Sequence, residues 1–109
     1  MSDSPFLAIK ALETQMNAVL SGLDLFELPK AEQKVVVRLR DELIDARLDI
    51  RDYELSETRE EQLAKARDAK SRLDKIRKDI LAASEYNVFT AIDVAQLTAQ
   101  LEQISENVK

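Results

Sequence analysis

The sequence predicts an all-α fold, an up-down-up-down antiparallel four-helix bundle forming one domain over residues 1–109. Apolar residues recur at alternating three- and four-residue steps in four separate stretches, the period of a packed helix face. One glycine and two prolines leave almost no turn chemistry for sheets, barrels or phosphate-cradling loops. Short connections join the stretches, as between successive helices of a bundle.

Helix one is expected over about 4–21. Ser4 stands as N-cap and Pro5 takes the first helical position, where a missing N–H costs nothing. Its stripe is Ile9, Leu12, Met16, Val19 and Leu23, with Gly22 as the stop. Pro29 opens helix two, about 29–55, in the same way, and its stripe is Val36, Leu39, Leu43, Ala46, Ile50 and Tyr53. Helix three, about 57–85, is capped by Ser56 or Thr58. Thr58 with Glu61 has capping-box spacing, and Glu57, Glu60 and Glu61 suit the positive end of a helix dipole. The stripe here is Leu63, Ala66, Ala69, Leu73, Ile76, Ile80 and Ala83, ending at Tyr86-Asn87. Thr90 with Asp93 caps helix four, about 91–107, whose stripe is Val94, Leu97, Leu101, Ile104 and Val108.

Helix two carries a second apolar face. At about 100° per residue, Val37, Ile44, Leu48 and Leu55 lie about 140° from the core stripe. Leaving such side chains in water forfeits roughly 1.5–3 kcal/mol each relative to burial. Either helix two is lodged deeply enough to bury both faces within the monomer, or a partner covers the second. Self-association is the more economical account, with these four residues as the oligomer interface. Arg40, Arg47 and Arg51 lie between the two faces, and Asp41, Asp45, Asp49 and Asp52 gather on the polar side.

Several kinds of chemistry are excluded. Without cysteine or histidine the chain has no disulfides, zinc sites, haem ligands or nucleophile–histidine dyads. Asp41, Asp45 and Asp49 form an outward ridge lacking the histidines of a di-iron bundle, and read as surface ion-pair partners. The core stripes are apolar apart from the Tyr53 hydroxyl, so no buried carboxylate pair is expected for acid–base work. No enzyme, cofactor or metal is expected. No apolar run reaches membrane-spanning length, and the start lacks a basic leader, so the cytoplasm is the expected compartment.

The net charge of −5 disfavours non-specific binding to phosphate backbones. Locally, residues 65–78 hold seven bases against two acids. Arg67, Lys75 and Lys78 are expected to face away from the core, with Lys70 and Arg77 on one flank and Lys65 and Arg72 on the other. Asp68–Arg72 and Asp74–Lys78 have i,i+4 pairing distance. This diffuse arc reads either as a solvated helix surface or as a nucleic-acid or partner surface.

The stretches 28–33 (Leu-Pro-Lys-Ala-Glu-Gln), 39–43 (Leu-Arg-Asp-Glu-Leu) and 73–77 (Leu-Asp-Lys-Ile-Arg), with Tyr86-Asn87 and the tail 96–104, resemble one four-helix-bundle family. It contains the accessory variability determinant of diversity-generating retroelements and the ribosomal-RNA intervening-sequence proteins. The resemblance covers about residues 20–108. It implies a homopentamer of four-helix protomers that partners a reverse transcriptase and binds template RNA or cDNA through a basic surface. The matching positions are Arg40, Arg47 and Arg51 on helix two, and Lys65, Arg67, Lys70 and Arg72 on helix three. The competing expectation is a helical adaptor or inhibitor from a mobile element or phage, binding protein and no nucleic acid. A structural bundle without a ligand is the third.

Overall fold

The computed structural model describes residues 4–22, 24–84, 86 and 93–108. They form helices α1 (Pro5–Leu20), α2 (Lys30–Glu54), α3 (Arg59–Ala82) and α4 (Val94–Asn107), with a 3-10 turn at Leu25–Glu27 between the first two. The fold is all-α, with no strand among the described residues. None of these helices is long and apolar enough to cross a membrane.

The helix starts follow local chemistry. Ser4 Oγ accepts from Leu7 N–H at 3.4 Å, with Pro5 in the first turn. The Ser4 hydroxyl also donates to Glu54 Oε1 at 2.7 Å, tying the start of α1 to the end of α2. Thr58 Oγ1 caps α3 by accepting from Glu61 N–H at 3.1 Å. Ser56, the other candidate cap, instead donates to Asp52 O at 2.7 Å and closes the last turn of α2.

Several boundaries differ from expectation, among them the start of α3 at Arg59 rather than 57. Pro29 occupies the cap position rather than the first helical one, so α2 starts at Lys30. Helix α3 stops at Ala82, where Ala83 N–H bonds to Asp79 O, short of the expected end at residue 85. Helix α4 starts at Val94 rather than 91, because Asp93 itself is the cap and accepts from Gln96 N–H at 3.0 Å. Leu23, Asn87 and Thr90 lie outside the described residues.

One apolar cluster joins all four helices. It takes Ile9, Leu12 and Met16 from α1 and the whole expected stripe of α2. It also takes Ala66 through Ala83 of the α3 stripe, and Leu97, Leu101, Ile104 and Val108 at the chain's end. Each helix packs on the next in sequence and α4 closes back on α1, the α2–α3 contact being the most extensive and α1–α4 the thinnest. Leu63 does not join the core and is 46% exposed. Two successive three-residue steps place it about 120° from Ala69 around the helix, off the buried face. On α1, Leu20 is buried and Val19 only partly so.

Two acids break the expected apolar interior: Glu32 and Glu42 on α2 are buried. Glu42 lies beside Asp79 of α3, with Lys75 Nζ 3.3 Å from its Oε1. Arg38 Nε approaches Asp79 Oδ2 at 3.5 Å from the other side. Burial, and then the neighbouring Asp79 carboxyl, pushes the Glu42 carboxyl above its ordinary value, with Lys75 opposing them.

Candidate partner-binding surface

The second apolar face of α2 is open to solvent. Val37 is 49% exposed, Ile44 39%, Leu48 36% and Leu55 70%. They lie on one line along the helix, with Ala46, Ile50 and Tyr53 buried on the opposite side. The monomer therefore leaves this stripe uncovered, and the alternative in which α2 buries both faces does not occur.

The borders of the stripe are charged, with a different sign on each side. Toward α1, Arg47 Nε lies 3.5 Å from Glu13 Oε2. Arg51 pairs along its own helix with Asp52 at 3.3 Å, and Arg40 is exposed with no acid partner among the described residues. Toward α3, Asp45 and Asp49 of the expected outward ridge, with Asp52, pair across the α2–α3 seam, whereas Asp41 stays exposed without a partner among the described residues. Arg72 Nε donates to Asp49 Oδ2 at 2.8 Å, and its NH1 reaches Asp45 Oδ2 at 3.5 Å. Lys65 Nζ lies 3.8 Å from Asp52 Oδ2. These acids are drawn to α3 because Arg72 lies level with Asp45 and Asp49, and Lys65 with Asp52. That register is invisible in local spacing.

The seven bases that the resemblance singles out do not converge on one patch. Arg40, Arg47 and Arg51 run along one edge of the stripe, and Lys65 and Arg72 are committed to acids across the other edge. Arg67 and Lys70 are exposed on α3 and pair with no acid among the described residues. The expected Asp68–Arg72 pair gives way to Arg72 with Asp49, whereas Asp74–Lys78 forms at 3.0 Å. Lys75, expected to point away, reaches back to Glu42. Arg77 joins Asp74 to Glu102 of α4 at 2.7 and 3.1 Å. Most of the basic run is thereby neutralised within the molecule, and each exposed pair contributes under about 1 kcal/mol.

A groove of about 710 Å³ runs between α1 and α4 over Leu7, Ala8, Ala11, Leu12 and Ile104. Its rim is made of amide side chains, including Gln100 and Gln103, and carries no titratable group, so it offers shape without acid–base chemistry.

Buried Glu42, like Glu32, is a feature that periodicity missed. Its signal was the seven-residue step from Val35, which shares its edge of α2 and is also buried. The surface as a whole is an apolar line bordered by arginines on one side and by aspartates, ion-paired except for Asp41, on the other. Comparison of the chain with known protein families, curated proteins and solved structures finds no match.

Proposed function

We propose that the protein is a non-enzymatic, self-associating helical adaptor that works in the cytoplasm through protein–protein contact. The reading takes the protomer as an up-down-up-down antiparallel bundle. Ser4 with Glu54, Glu13 with Arg47, and Lys65 with Asp52 beside Lys75 with Glu42 support it, because along each pair of helices the numbering rises on one and falls on its neighbour. The observation that carries the function is the solvent-exposed line Val37, Ile44, Leu48 and Leu55. Exposed aliphatics ranged along a whole helix mark an association surface.

The test is the mass in solution by sedimentation velocity across a wide concentration range. An oligomer that Leu48→Asp converts to a folded monomer is the expected result; a parent chain that stays monomeric at high concentration overturns the proposal.

A second reading is the accessory role in a diversity-generating retroelement, with a reverse transcriptase and template RNA or cDNA as partners. Arg40, Arg67 and Lys70 favour it, being exposed bases without an acid partner among the described residues. It requires RNA binding that weakens with salt in a gel shift and on replacing Arg47 and Arg51 by Glu. Salt-independent or absent binding leaves the adaptor alone.

A further inference from the structure

The exposed stripe of α2 reads the same from either end. In order its positions are Val37, Asp41, Ile44, Leu48, Arg51 and Leu55: apolar, charged, apolar, apolar, charged, apolar. The four-three-four-three-four spacing is that of a coiled-coil seam. The two charged positions carry opposite signs, and both are exposed. We infer that two copies pair through α2 in antiparallel fashion about a two-fold axis at the level of Ala46, bringing Asp41 of each against Arg51 of the other. This rests on the self-association reading above and specifies its partner, orientation and register.

In a two-fold contact, residue i of one copy meets residue j of the second and j meets i. With the axis at that level, Val37 faces Leu55, Ile44 faces Leu48, and Asp41 faces Arg51, twice over. Every apolar position meets an apolar one and every charge meets its opposite. A parallel pair sets each residue on its own copy, so Asp41 would face Asp41 and Arg51 would face Arg51. Sliding the antiparallel pair by one heptad places aliphatics over charges. The flanking charges nearest the axis, Arg47 and Asp45, would each meet their own kind. Both already have partners in their own chain, Glu13 for Arg47 and Arg72 for Asp45. Asp41 has no acceptor or donor partner among the described residues, and Arg51 is engaged only by adjacent Asp52. Of the charges in the seam and nearest its axis, Asp41 and Arg51 are thus the ones without a partner on another helix. Such a contact is used up by two chains, so it closes at a dimer and not at the ring of five that the family resemblance implies.

The experiment reverses the seam charges one at a time. Asp41→Arg places Arg on Arg in the pair, and Arg51→Asp places Asp on Asp; circular dichroism checks that both variants fold. In sedimentation equilibrium, each variant alone is expected to dissociate roughly tenfold or more readily than the parent dimer. An equimolar mixture of the two is expected to recover parental affinity as a heterodimer. In it the introduced arginine faces the introduced aspartate, and the retained Arg51 of one chain faces the retained Asp41 of the other. The doubly exchanged chain should recover parental affinity too. An oligomeric parent whose single variants associate normally, or whose mixture shows no recovery, refutes this pairing while self-association stands, as does a pentameric mass. A monomeric parent removes both.

Discussion

Leu43 and Leu48 are the same residue type on the same helix, five positions apart, and differ in surroundings: Leu43 is 2% exposed and Leu48 36%. Replacing each by alanine changes helix propensity equally, by a few tenths of a kcal/mol, so that contribution cancels in the comparison. At Leu43 the change removes buried methyl groups from a packed interior and leaves a cavity, costing about 2–5 kcal/mol. At Leu48 water fills the vacated space, so only the partial burial within the monomer is lost, about 1 kcal/mol. The gap of about 2 kcal/mol corresponds to roughly 10 °C in Tm for a chain of this size. Urea unfolding followed by far-ultraviolet circular dichroism at low micromolar concentration reads this difference directly. Repeating it at about a hundredfold higher concentration should raise the cost of Leu48→Ala and leave that of Leu43→Ala unchanged, because association stabilises only chains that retain the stripe. Equal losses at low concentration would mean that Leu48 is as enclosed as Leu43, and the two-faced description of α2 would fail.

The Glu42 carboxyl is held above its ordinary value, so folding favours its protonated form. Its stabilising contribution is present in full below the ordinary carboxylate value and is lost as pH rises through the raised one. Glu42→Gln should therefore melt above the parent at about pH 8, the two curves converging as pH falls toward about 4; a gap independent of pH refutes this. Arg72→Ala strands Asp49, whose side chain is only 19% exposed. It should cost about 1 kcal/mol, more at low salt, whereas Arg67→Ala should stay within about 0.5 kcal/mol. Equal urea midpoints for the two would show that the α2–α3 ion pairs contribute nothing.

What could be read from the chain alone was whatever depends on neighbours within about two turns. The stripes of α2 and α4, the caps Ser4 and Thr58, and the separate line Val37–Leu55 all follow from a helical period or a cap spacing. What escaped depends on how helices meet. Arg72 prefers Asp49 over Asp68 because the α2–α3 register brings a carboxylate of another helix closer than one on its own. Glu42 is buried because the same close approach widens the covered arc of α2 beyond its aliphatic stripe. Leu63 fell outside because its neighbouring alanines offered a helical spacing that rotates away from the core. Lys65, Arg72 and Lys75 of α3 escaped for the same reason as the acids they meet on α2: each partner lies on another helix, beyond the reach of local spacing.

Helix α4 has the least to hold it in place. It is the shortest of the four at 14 residues, its packing on α1 is the thinnest, and Arg77–Glu102 is its only ion pair among the described residues. Amide protons along its Val94–Asn107 ladder should accordingly exchange with deuterium well before those at the centre of α2 and α3. On that expectation α4 lets go first, and the remaining three-helix sheath outlasts the departure of its fourth stave.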